Sequence, residues 1–274
     1  MGAIFDEGEH DERQLDMFSG APPAPPPPDL GETRPAGAMS DGELVEAIER
    51  GAMSAAMAAM AEAGRRRLAA AVPALAAVCR RFAGFGTERA IPEQAAALAA
   101  LAEIGGPKAQ AAVAAAVARR EVQGPGLPLA LAAAARLRAA LLRDDCVAFL
   151  RHPDPAVRAA ACRCARQTGS EVEALLGLLS DPDPRTRIAA ACALGRMGRQ
   201  EARGALARLL ETAPSAEVVD AASGVADDDM AVLLGRVGRA RPELAPAILE
   251  ALEGGDNMTA LKVARSLRAV IGAA

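Results

Sequence analysis

From residue 40 onward, apolar and polar positions follow the helical period in short blocks punctuated by proline and glycine. SDGE (40–43) sets Ser40 and Glu43 at capping-box spacing, ahead of Leu44, Val45 and Ile48 on one helical face. SEVEALLGLL (170–179) reads as a short amphipathic helix, and DPDP (181–184) ends it and starts the next. The following PRTRIAAACALGRMG (184–198) predicts a second helix closing on Gly198. Proline in a first helical turn has no hydrogen bond to lose, and Asp183 is placed to cap the orphan amides at the positive helix end. The predicted elements are short helices in hairpins.

These hairpins repeat. HPDPAVRAAACRCARQTG (152–169) lies over DPDPRTRIAAACALGRMG (181–198) at an offset of 29 residues, pairing Pro155 with Pro184, Arg158 with Arg187 and Gly169 with Gly198. A shift of 93 pairs Leu194 with Leu101, Gly198 with Gly105, Ala202 with Ala109 and Leu206 with Val113. A period near 30 residues means stacked units, with room for about seven from residue 40. Alanine-rich helices let neighbouring backbones approach, so each unit buries one face on the unit before it and one on the unit after. The expected fold is an all-α solenoid over residues 40–272, with order beginning at Ser40.

The pattern D-P-D-P-x-V-R-x-A-A-x-A-L-G resembles the short HEAT-like repeats of phycobilisome lyases, most clearly over residues 151–211 and again over 92–120. The resemblance implies an Asp/Arg ladder tying adjacent repeats, to which Asp154, Arg158, Asp181, Asp183 and Arg187 would belong. His152 replaces the first Asp of one copy, and VVDAAS around Val219 lacks the Arg, so the ladder is expected to weaken toward both ends.

Composition supports helices: 51% of residues are apolar but only 2% aromatic, with no Trp or Tyr. The net charge of −4 divides unevenly, since residues 1–40 hold eight acids against Arg13 and Arg34, leaving a body of about +2. APPAPPPP (21–28) predicts a polyproline II spacer, so residues 1–39 read as a disordered acidic, Pro-rich tail. Five cysteines in Ala-rich helical context, without a secretion signal or a membrane-length apolar run, suggest reduced core thiols in the cytoplasm.

Catalytic chemistry finds little support, and no catalytic residue, metal ligand or cofactor is assigned. His10 lies in the tail and His152 in an inter-helix turn, neither with a nucleophile beside it. Cys162 and Cys164, two positions apart on a helix, point about 200° apart and cannot share one metal. GGPK (105–108) is a turn rather than a phosphate loop, and no His-Glu dipeptide of the iron-holding HEAT hydroxylases occurs. Arginines outnumber acids in the second helices. If these helices line a concave face, Arg163, Arg166, Arg196 and Arg199 form a mildly basic groove, though nucleic-acid recognition lacks interleaved aromatics.

RQLDMFSG (13–20) stands apart, placing scarce bulky side chains in an acidic tail that cannot build a core. QLDMF resembles the bacterial sliding-clamp-binding pentapeptide Gln-Leu-Ser/Asp-Leu-Phe: Gln14, Leu15, Asp16 and Phe18 match, and Met17 replaces Leu. The resemblance implies a polar subsite for Gln14 and an apolar pocket for Met17 and Phe18. Three roles stay open. One is a non-enzymatic scaffold binding protein partners, with a tail motif recruiting a second. Another is a clamp-tethered DNA-maintenance accessory with DNA in the Arg groove. The third is an enzyme related to bilin lyases.

Overall fold

A computed structural model describes residues 35–254 and 257–271. The tail motif Gln14–Phe18 lies outside them. The described residues form fifteen α-helices and no strand. The first six are α1 (Asp41–Arg50), α2 (Met53–Arg65), α3 (Val72–Arg81), α4 (Pro92–Ile104), α5 (Gly106–Ala118) and α6 (Leu127–Leu137). Next come α7 (Arg143–Leu150), α8 (Pro155–Cys164), α9 (Gly169–Leu178), α10 (Pro184–Arg196) and α11 (Arg203–Thr212). The last four are α12 (Ala216–Ser223), α13 (Asp228–Ala240), α14 (Ala245–Glu253) and α15 (Met258–Ile271).

Even-numbered helices from α2 to α14 pack each on the next to form one layer, and each odd helix from α1 to α13 packs on the even helix that follows it. The result is an α-solenoid of seven hairpins, with α15 added against α13 and α14 as an eighth odd helix. Residues paired by the 93-residue offset take equivalent places: Leu101 and Leu194, Ala109 and Ala202, and Val113 and Leu206 are all buried. Gly105 and Gly198 close α4 and α10 in the left-handed region, at φ 71° and 72°. The 29-residue pairing fails at one point: α8 ends early at Cys164, and Gly169 opens α9 instead of closing α8.

Local chemistry fixes the starts of the helices. The Ser40 amide donates to Glu43 Oε2 at 2.6 Å while the Glu43 amide donates to Ser40 Oγ at 3.4 Å, completing the capping box of α1. Asp154 and Asp183 cap α8 and α10, accepting from the Ala156 and Thr186 amides at 2.8 Å each. Just ahead of Ser40, a 3-10 turn at Ala36–Ala38 is clasped by Arg66. Its guanidinium donates to Met39 O at 2.8 Å and Gly37 O at 3.0 Å, and its Nε donates to Glu62 at 2.6 Å. Hydrogen bonds from Arg65 and Arg66 hold the Glu62 carboxyl down at about 2.

One apolar interior runs from Leu44 in α1 to Leu267 in α15. Each Leu buried there contributes about 1.5–3 kcal/mol. Small residues set the spacing within the even layer: a Cβ on Gly195 of α10 would come within 2.5 Å of the Ala221 carbonyl of α12. That interface therefore depends on backbone meeting backbone.

Candidate functional site

The α9–α10 turn carries one complete rung between repeats. Arg158 of α8 donates through Nε and Nη2 to both carboxylate oxygens of Asp181, at 2.9 Å each, with 13% and 5% of the two side chains exposed. Its Nη1 donates to the His152 and Pro153 carbonyls at 2.8 Å, fastening its own hairpin turn as well. Asp181 also accepts the Asp183 amide at 2.9 Å. The Arg158 bond keeps its carboxyl below the ordinary carboxylate value, and Asp181 in turn raises the Arg158 guanidinium. Thr186 adds a second tie between repeats, its hydroxyl donating to the Pro155 carbonyl at 3.2 Å.

The other residues of the expected ladder act within their own turns. Asp154 and Asp183 are the helix caps already described. Arg187 repeats the backbone clasp of Arg158, donating to the Asp181 and Pro182 carbonyls at 2.8 and 3.0 Å. It meets no carboxylate at ion-pair distance among the described residues. Counting back two positions from the helix caps explains this: His152, Asp181 and Ala213 stand in equivalent places before α8, α10 and α12. His152 does the local work of Asp181, its Nδ1 accepting the Asp154 amide at 3.1 Å. Ala213 offers Arg187 nothing.

The arginines expected to line a basic groove are mostly matched by acids. Arg163 of α8 reaches Glu217 of α12 at 3.2 and 3.4 Å, and Arg196 approaches the same carboxylate at 3.7 Å. Arg199 pairs with Glu201 at 2.7 Å. Among the described residues, only Arg166 of the four has a guanidinium without an acidic partner, although its backbone amide donates to Glu171 at 2.9 Å. Counting charges within one second helix misses Glu217 because it comes from a later repeat. The charge balance of this face is therefore less basic than the linear count implies.

The thiols are buried or half-buried and unpaired with one another. Burial pushes Cys79, Cys162 and Cys164 up to about 12 and Cys192 to about 11, and raises Cys146 as well. These thiols stay protonated at neutral pH. Cys164 Sγ donates to the Leu131 carbonyl of α6 at 3.2 Å, while Cys162 is buried within the core. No cluster of three or more His, Cys, Asp or Glu suited to a metal occurs among the described residues.

Two apolar surface features escape a pattern-based reading. One is the long α3–α4 connection, where exposed Phe85 joins Met53, Phe82 and Ile91 around a cleft of about 610 Å³. The other is a groove of about 430 Å³ beside α10 and α11. Half-buried Leu179, Ile188 and Leu209 line it, with Arg187 and Arg208 and the Ala213 that breaks the ladder. The missing Asp in the turn TAPS (212–215) is the sequence signal that points to it.

Residues 144–226, spanning most of α7 through α12, match the profile of the HEAT repeats. No curated protein matches the chain. Among solved structures, the X-ray structure of YibA from E. coli is 11% identical, with 88% of this chain and 97% of that one covered and a TM-score of 0.43. The matched hairpins are thus HEAT-like repeats, set within the longer α-solenoid. Repeats of this kind generally serve as protein-interaction scaffolds. No described helix is long and apolar enough to cross a membrane.

Proposed function

We propose that this chain is a non-enzymatic scaffold in the cytoplasm, whose solenoid surface binds a protein partner and whose segment Gln14–Phe18 recruits a second. The observation that carries this reading is the continuous apolar interior from α1 to α15, which commits the inward faces to stacking. The outward faces and the shallow grooves between helices are left for recognition. The protonated, enclosed thiols favour a structural role for the cysteines. Affinity capture with the full chain and with a form lacking residues 1–34, read by quantitative mass spectrometry, tests both halves. The cut spares Ala36–Met39, which Arg66 holds. The reading expects one group of partners retained by both forms and another lost with the tail. A full chain that retains nothing above an inert control protein would overturn it.

A second reading rests on a specific observation, the match of QLDMF to the sliding-clamp pentapeptide. In that reading the second partner is a bacterial sliding clamp and the body serves DNA maintenance. Pairing of Arg163, Arg196 and Arg199 with Glu217 and Glu201 weakens its DNA-groove component. A peptide of residues 10–20 should bind the clamp and lose binding on Leu15→Ala and Phe18→Ala. Indifference to both substitutions rejects the tether.

A further inference from the structure

We infer that the groove between α9, α10 and α11 is a docking site for an acidic amphipathic peptide segment of a partner protein. This rests on the scaffold reading and supplies the chemistry of one partner. Three features carry it.

The first is a local opening of the stack. In the odd layer α7 packs on α9 and α11 packs on α13, whereas α9 and α11, like α5 and α7, pack only weakly if at all. The 3-10 turn Gln200–Ala202 intervenes between α10 and α11. Leu179, Ile188 and Leu209, which a tighter stack would cover, are left half-buried along the opening. Together they offer an apolar strip on which the apolar face of a short peptide can sit.

The second is positive charge without an acid in the lining. Arg187 and Arg208 line the groove, and no acidic residue does. The nearby carboxylates are already engaged: Asp181 with Arg158, Asp183 at the α10 cap, and Glu211 with Arg236 at 3.4 Å. Arg208 makes no side-chain hydrogen bond or ion pair among the described residues. An acidic partner would meet the unpaired Arg208, and Arg187 whose guanidinium is otherwise spent on the Asp181 and Pro182 carbonyls, without displacing a close ion pair.

The third feature selects peptide over nucleic acid. The lining is aliphatic and without aromatic rings, so bases have nothing to stack on, whereas Leu or Phe side chains find apolar surface.

The test uses the full chain and fluorescence anisotropy of a labelled synthetic helix-forming peptide, with Leu at i, i+3, i+4 and i+7 and Glu on its other face. Controls are the same peptide with Lys replacing each Glu, and a labelled single-stranded oligodeoxynucleotide. The acidic peptide should bind saturably and more weakly as salt rises. Arg208→Glu, at an exposed and unpartnered position, should weaken binding by about fivefold or more with an unchanged melting temperature. The proposal is overturned if the acidic peptide does not bind, if the Lys version binds equally well, or if Arg208→Glu leaves the affinity unchanged. Oligonucleotide binding that competes with the peptide and falls equally with Arg208→Glu would assign the groove to nucleic acid instead. Loss of peptide binding alone does not touch the scaffold reading, because partners retained in affinity capture by both full-length and Arg208→Glu protein would place the working surface elsewhere.

Discussion

Helix α10 meets its two even-layer neighbours by different means. Toward α8 it uses polar ties: the Arg158–Asp181 rung, the Thr186 hydroxyl on Pro155, and Gln167 donating to the Met197 carbonyl at 2.9 Å. Toward α12 it relies chiefly on close backbone approach, with Gly195 against Ala221 and Gly224 against the Gly195 carbonyl, alongside the looser, part-exposed Arg196–Glu217 pair at 3.7 Å. A rung sets the register between hairpins through two charges held at fixed places. Close glycine contact sets separation and leaves the nearby odd-layer surface free to open. The groove proposed for a partner lies on the side where the rung is missing.

The sharpest way to break this contrast is to put a side chain into the glycine interface. Gly195→Val would push into the Ala221 carbonyl and the Leu206 side chain, and should cost about 3 kcal/mol or more in urea unfolding. An equal loss from Arg185→Val, at an exposed position of the same helix, would show that the cost does not come from the glycine contact.

The polar interface comes next in size. Asp181→Ala leaves Arg158 largely enclosed without its carboxylate and should cost about 2–3 kcal/mol at neutral pH. Because folding depresses the Asp181 carboxyl, its contribution is present above the unfolded value near 4 and is lost as pH falls through the folded value. Wild type and Asp181→Ala should therefore converge as the pH is lowered below about 4, as judged by urea midpoints at each pH. A gap that persists into acid would mean that the loss comes from the turn and not from the charge.

Removing a cap is gentler. Asp183→Ala should cost about 1 kcal/mol, since Thr186 loses its acceptor while the rung stays intact. A loss as large as that of Asp181→Ala would show that cap and rung form one unit, and a double-mutant cycle would measure the coupling.

The two interfaces also differ in what sequence can reveal. The rung announces itself through D-P-D-P followed by Arg, because proline, caps and ladder charges must occupy fixed places, and the 29-residue offset exposes them. Glycine at 195 looks like any helix-interior glycine until Ala221 is brought beside it from the next hairpin. Glu217 is equally silent, because its partners Arg163 and Arg196 lie in earlier repeats. Left-handed caps are disguised too: Gly105 and Gly198 match by offset, but Arg67, Arg120 and Arg138 adopt positive φ of 53–54° after α2, α5 and α6. The layered repeat follows from local pattern, whereas charge balance and groove shape depend on contacts between repeats.

The most delicate variant tries to convert one interface into the other. Ala213 occupies the place of Asp181, and Arg187 the place of Arg158, so Ala213→Asp should complete a second rung. The gain should be about 0.5–1 kcal/mol, since Arg187 and Ala213 are exposed and a solvated pair is worth little. Differential unfolding at low and high salt would separate a real ion pair, whose benefit salt erodes, from a change in turn preference. The new carboxylate would also engage one of the two groove cations, so binding of the acidic peptide should fall while stability rises. Stability and binding moving in opposite directions would show that the missing rung is what makes the groove. If Ala213→Asp changes neither, the opening between α9 and α11 is set by the Gln200–Ala202 turn instead.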